Sequence, residues 1–260
     1  MADHSPKGVL YGLGIGPGDP GLVTVRARNI MQAAPVIAYP APEGGDSLVR
    51  AIAAPHIPEG RIEIVIRTPM VADSFPAGEV YDRYGGEIAD HLDAGRDVAV
   101  LCEGDPFLYG SFMYIFERIA TGHKTVVVPG VSSLGAVAAV AGIPLASRNE
   151  VLTVLPGPLP EDELSARLAA TDAAAIMKVG RHLPKIRRVL RRLGLEADAR
   201  YVERATMKEQ KVLPLDDAPK DGAPYFSMIL VKGLGRGAAR SKGEAAHLPA
   251  GAALVALSSG

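Results

Sequence analysis

The densest grouping of chemistry-bearing residues in the chain is Glu103-Gly104-Asp105-Pro106. It combines two carboxylates, a glycine that lets a ligand approach the backbone, and a proline that fixes the exit angle while giving up an N–H. The stretch 98–101, with Cys102 at its end, reads as a buried strand, and 108–119 reads as a helix. Strand, sharp turn and helix place such residues at the carboxyl edge of a parallel sheet, where open α/β folds bind small molecules. Asp105 can also serve there as a plain helix cap. Two further small-residue turns follow apolar runs: Gly14-Ile-Gly-Pro-Gly-Asp-Pro-Gly21 and Pro129-Gly-Val-Ser-Ser133.

Gly16-x-Gly18-x-x-Gly21 formally matches a dinucleotide fingerprint. It fits that chemistry badly, because Pro17 and Pro20 remove N–H groups that a pyrophosphate needs. The next strand ends in Pro40-Ala-Pro42 rather than in the acid that would hold a ribose. A nicotinamide enzyme and a Rossmann-type methyltransferase are disfavoured alike, and no Walker loop or G-x-S-x-G elbow occurs. The six histidines lack metal-ligand spacing. Acidic runs at 161–163 and 216–217 read as solvated surface. Small-residue turns at strand ends, spread over two halves, suit a binding cleft better than a nucleophile site.

The elements that would position these turns follow from periodicity. Strands are expected at 8–13, 35–39, 62–66, 98–101 and 125–128. The helices between them fall at 22–34, 46–54, 79–93 and 108–119, with an alanine-rich one ending at Ala141. A crossing at 143–147 leads to a second pattern: strands at 151–155, 173–179, 200–203, 211–213 and 225–231, helices at 161–170 and 183–193. The chain therefore reads as α/β, with an N-terminal domain over 1–143 and a C-terminal domain over 144–232. Residues 67–76 read as a flexible loop and 233–260 as a poorly ordered tail. A net charge of −1 and the absence of Trp give no nucleic-acid surface. A single cysteine excludes an internal disulfide framework. With no membrane-length apolar run and no signal peptide, a cytoplasmic location is expected.

Gly12-Leu-Gly-Ile-Gly-Pro-Gly-Asp-Pro20, Glu103-Gly-Asp-Pro-Phe-Leu-Tyr-Gly110 and Val128-Pro-Gly-Val-Ser-Ser133 together resemble the tetrapyrrole (corrin/porphyrin) methylase family, in order and in separation. Within it, residues 38–41, 102–105, 110–114 and 201–206 are similar to the members that methylate C(20) of precorrin-2, giving precorrin-3A in cobalamin biosynthesis. The resemblance implies a non-Rossmann fold of two α/β domains with a ligand cleft between them. S-adenosylmethionine would be the donor, S-adenosylhomocysteine its product, a tetrapyrrole the substrate, and a homodimer the assembly. It implies donor contacts from Pro17, Glu103, Gly104, Asp105, Leu108, Ser132 and Ser133. From the second domain Met177, Lys178, Val179, Ala205 and Thr206 would enclose adenine. Gly16, Gly18, Asp19 and Tyr39 would then lie on the tetrapyrrole side. A substrate rimmed with carboxylates calls for arginines, with Arg26, Arg67, Arg148 and Arg181 as candidates. Uroporphyrinogen methylases of the family carry an Asp where this chain has Tyr39-Pro40-Ala41, so their base is missing here. Glu103, Tyr109 or water remain to take the proton. A cobalt-containing substrate, another corrin-ring methylation, a nicotinamide-dependent oxidoreductase and a non-catalytic tetrapyrrole carrier are the competing readings.

Overall fold

Strict alternation of side chains builds the first sheet. Along β4 (Val98–Cys102), Val98, Val100 and Cys102 enter one core layer while Ala99 and Leu101 enter the other, the period of two that a strand imposes. The same division runs through β1 (Leu10–Gly14), β2 (Val36–Pro42), β3 (Ile62–Thr68) and β5 (Thr125–Val128). All five strands are parallel, in the order β3-β2-β4-β1-β5. Both faces are covered, as a parallel sheet requires. The helices α1 (Val25–Ala33) and α2 (Leu48–Ala53) pack on one face, through Ala27, Met31, Val49 and Ile52. On the other lie α3 (Ala77–Asp93), through Tyr81, Tyr84, Ile88 and Leu92, and α4 (Phe112–Ile119). The chain thus leaves neighbouring strands β1 and β4 toward opposite faces, which makes their carboxyl ends the topological switch point.

The computed structural model describes residues 6–68 and 77–232. Most of the loop expected at 67–76 and the whole tail at 233–260 lie outside them. The chain divides into two units, Met1–Ser133 and Leu134–Gly260. In the second, β6 (Leu152–Pro156), β7 (Ala173–Met177), β8 (Ala199–Glu203), β9 (Lys211–Pro214) and β10 (Ser227–Lys232) form a mixed sheet, ordered β6-β7-β10-β8-β9. β10 runs antiparallel between β7 and β8. The parallel pair β6–β7 therefore points the same way as β8, and their carboxyl ends share one edge with the start of β10. On one face, α6 (Glu161–Ala169) buries Leu164 and Leu168, and α7 (Leu183–Arg192) buries Leu183, Ile186, Val189 and Leu190. This is the stripe expected of an amphipathic helix.

The structure shifts several sequence expectations. The boundary falls at 133/134 rather than 143/144, because α5 (Ser133–Ala141) packs Val137 against Ala175, Val202, Met228 and Leu230 of the second sheet. β2 continues through Pro40 and Pro42 instead of stopping at Tyr39: beyond Ala38 it pairs with β3 alone, so no β4 neighbour is deprived of a donor. Helix α4 starts at Phe112 rather than at 108, since the turn before it occupies 104–110. β7 stops at Met177, where Lys178 takes a positive φ.

Candidate active site

At the carboxyl ends of β1, β4 and β5, three loops interlock through glycine. Gly104 has φ +62°, and its N–H donates to the Gly16 carbonyl at 2.8 Å. A Cβ at Gly130 would stand 1.9 Å from the Gly104 oxygen and 2.7 Å from the Gly14 Cα. One at Gly14 would stand 2.5 Å from Gly130, so no side chain fits at either position. Asp105 completes the lock. Its Oδ1 accepts from the Phe107 N–H at 2.9 Å and its Oδ2 from the Gly130 N–H at 3.1 Å. It is thus a brace between the β4 and β5 turns and not the cap of α4, which is Ser111.

The lock consumes the donors of the glycine-rich first loop. Ile15 N–H goes to Cys102, Gly16 N–H to Gly104 at 3.4 Å, and Gly21 N–H to the Asp19 carboxylate at 2.7 Å. With Pro17 and Pro20 lacking N–H, little is left to cradle a pyrophosphate. Gly16 and Pro17 are buried, while Gly18 and Asp19 are half-buried.

Glu103 stands on the rim of this lock. It is half-buried, and among the described residues no cation pairs with it. Burial pushes its carboxyl above the usual 4.5, opposed only by its own N–H. Behind it, burial also lifts Tyr81 to about 12 and the Cys102 thiol to about 11. The Tyr81 and Tyr114 rings lie 5.0 Å apart. Tyr109 is exposed, with φ +56°. Leu108, Ser132 and Ser133 are half-buried along the same edge, the Ser133 N–H 3.8 Å from where a Gly104 Cβ would lie.

The substrate-side candidates are more dispersed. Tyr39 is buried and donates to Glu63 at 2.6 Å, while Arg50 clamps the same carboxylate with two 2.9 Å bonds. Arg67 donates to the carbonyls of Pro42 and Gly45 at 2.9 and 2.6 Å, and so ties down the turn before α2. Tyr39, Arg50 and Arg67 line an open cavity of about 350 Å³ with Ser47 and Asp46. Arg26 lies on the exposed side of α1. In the second unit, Arg181 follows β7, but Arg148 precedes β6 and lies at the opposite edge of that sheet.

The second unit's shared edge gathers Met177, Lys178, Val179, Ala205 and Thr206 from the ends of β7 and β8. Met177 and Ala205 contribute apolar surface on the α5 side. Val179 differs from the expectation for a contact residue. Its side chain is fully buried in the α6–α7 core, leaving only its backbone to offer. Lys178, Arg204 and Thr206 all hold positive φ, at 53°, 47° and 66°, strain of the kind that persists only where the surroundings enforce it. Arg204 was missed by sequence reasoning. It sits at this edge without an ion pair or side-chain hydrogen bond among the described residues. Its only signal was its place beside Glu203 in Tyr201-Val-Glu-Arg-Ala-Thr206. Among the described residues no group of three or more His, Cys, Asp or Glu side chains is placed to hold a metal. No helix there is long and apolar enough to cross a membrane.

Comparison with known proteins agrees with this arrangement. The chain is 44% identical over 237 residues to the cobalamin biosynthesis protein CobIJ of Mycobacterium tuberculosis, covering 88% of this chain and 47% of that protein. It therefore spans about half the length of that relative. It is 43% identical over 234 residues to a precorrin-2 C(20)-methyltransferase from Sinorhizobium sp, covering 87% of this chain and 96% of the relative. Among solved structures, the cobalt precorrin-4 methyltransferase CbiF superposes with a TM-score of 0.69 at 28% identity, over 86% of this chain and 94% of CbiF. The model of the Tetrapyrrole (Corrin/Porphyrin) Methylases matches residues 9–219, and the chain belongs to that family.

Proposed function

We propose that the protein transfers a methyl group from S-adenosylmethionine to C(20) of precorrin-2, giving precorrin-3A for cobalamin synthesis. One observation carries the reading. The chain aligns almost end to end with a precorrin-2 C(20)-methyltransferase, and the alignment spans the turns that end β4, β5, β7 and β8. The residues present suit the donor. The first unit offers a glycine-lined edge for its amino-acid and ribose parts, and the second offers Met177 and Ala205 for its adenine.

The donor supplies an electrophilic sulfonium methyl, so the chain needs no nucleophile of its own. Its task is alignment, which contributes roughly 7–11 kcal/mol to such reactions. The rigid glycine lock suits that task, because a shift of the β4 turn would drag the β1 and β5 turns with it. After methylation the ring carbon must lose a proton. Glu103 is the better placed of the two side-chain candidates, being desolvated, unpaired with any cation among the described residues and held at the strand edge. Tyr109 is more exposed. Arg204 is the arginine best placed for substrate carboxylates, since Arg67 is partly committed to main-chain carbonyls. A homodimer in the cytoplasm completes the proposal, with light scattering as the check on assembly.

The test is turnover with metal-free and with cobalt-containing precorrin-2, followed by mass and by the position of the new methyl. A methyl at C(20) of the metal-free substrate supports the proposal. Turnover of the cobalt form alone reassigns the substrate. Tight NAD binding, or porphyrinoid retained without methyl transfer, refutes the reading.

A further inference from the structure

The last rung of the second sheet carries a buried carboxylate that the methyl-transfer chemistry does not use. Glu203 ends β8, with Lys211 of β9 directly opposite on one side and Ser227 of β10 on the other. Its side chain is only 3% exposed. Oε2 accepts from the Tyr201 hydroxyl at 2.7 Å, Oε1 meets Lys211 Nζ at 3.0 Å, and the same hydroxyl lies 3.2 Å from Ser227 Oγ. These partners hold the carboxyl below its usual range although burial alone would raise it.

The next three residues are the turn proposed to meet the donor. Arg204 and Thr206 both hold left-handed backbone conformations, which cost non-glycine residues energy. Three bonds enforce them. The Arg204 N–H donates to the Phe226 carbonyl at 2.8 Å, one residue before Ser227. The Thr206 N–H donates to Gln210 Oε1 at 2.7 Å, one residue before Lys211, and the Met207 N–H closes onto Arg204 at 3.0 Å. The strands that supply Ser227 and Lys211 therefore also supply, one residue away, the groups that hold the turn. Glu203 ties β9 to β8 at that point directly, and the Tyr201 hydroxyl it accepts from reaches β10 at Ser227.

We propose that Glu203 is a positioning residue of the donor site: its bonds to Lys211 and to the Tyr201 hydroxyl, which in turn meets Ser227, keep β9 and β10 in register, so that Arg204, Ala205 and Thr206 are presented in one strained conformation. The proposal rests on the reading that this turn meets the donor.

The test uses the full chain with Glu203→Gln and Lys211→Met, titrated with S-adenosylhomocysteine by calorimetry and assayed for KM and kcat. Glu203→Gln keeps an acceptor for Tyr201 but turns an amide on Lys211. It should weaken S-adenosylhomocysteine binding about tenfold and raise the donor KM in parallel, leaving kcat near wild type. Should Glu203→Gln not fold, Lys211→Met carries the same test, because Lys211 is more than half exposed. It should weaken the donor in the same direction by a smaller factor, and Lys211→Arg should restore it. Wild-type donor affinity in both variants overturns the proposal alone, as does a fall in kcat with donor KM unchanged. Failure of the wild-type protein to bind S-adenosylhomocysteine overturns the underlying reading and the proposal together.

Discussion

Replacing Asp105 by asparagine separates a structural brace from a simple ligand contact. Both carboxylate oxygens accept from backbone N–H groups, Phe107 at 2.9 Å and Gly130 at 3.1 Å. An amide presents only one acceptor, so its NH2 must oppose one of the two donors whichever way it flips. Hydrogen bonds to a charged group contribute about 1.5–3 kcal/mol each, and partial exposure of Asp105 argues for the lower end. Asp105→Ala, which loses both, should cost about 2–4 kcal/mol. Asp105→Asn should cost about 1.5–3 kcal/mol despite its near-identical shape. For a chain of this size the melting temperature should fall by about 3–12 °C in the asparagine variant and about 4–16 °C in the alanine variant. Urea unfolding at neutral pH, with S-adenosylhomocysteine titrations alongside, gives both quantities. An asparagine variant as stable as wild type would refute the brace, and weakened binding in that same variant would make Asp105 a ligand contact instead.

Three further outcomes follow from the packing. Gly130→Ala drives a Cβ to 1.9 Å from the Gly104 oxygen and should destabilise by about 3 kcal/mol or more. Gly86→Ala, on the exposed side of α3 with nothing within 4 Å, should stabilise by up to about 1 kcal/mol in the same melts. Arg50 and Tyr39 hold the Glu63 carboxyl below its ordinary 4.5. Its contribution is thus complete above that pH and is lost as the pH falls through the depressed value. Glu63→Gln should lower stability at neutral pH by about 1 kcal/mol and flatten the acid limb of the stability–pH curve. Cys102 is buried, with its thiol pushed to about 11. A thiol reagent should therefore leave the native protein unlabelled at neutral pH and modify one site per chain in denaturant; rapid native labelling would contradict the packing of β4.

The sequence made local punctuation legible and left long-range register hidden. Val98–Cys102 and its Glu-Gly-Asp turn could be read because an apolar run meets glycine and proline abruptly. The extension of β2 across two prolines could not, since it depends on β4 ending its pairing at Ala38. Helix α5 is apolar nearly all round, so its composition fits either sheet, and only Val137 against Met228 and Leu230 assigns it. Asp105 looked like a ligand group or a cap because its partner Gly130 is 25 residues away. The Glu203 network was hidden for the same reason: Lys211 and Ser227 become its neighbours only once β9 and β10 are in register.

The most direct test of the account is a co-crystal with S-adenosylhomocysteine. Density for the nucleoside should touch the Glu103–Asp105 turn that ends β4. A nucleoside lying stretched over residues 14–21, with that turn uncontacted, would contradict it.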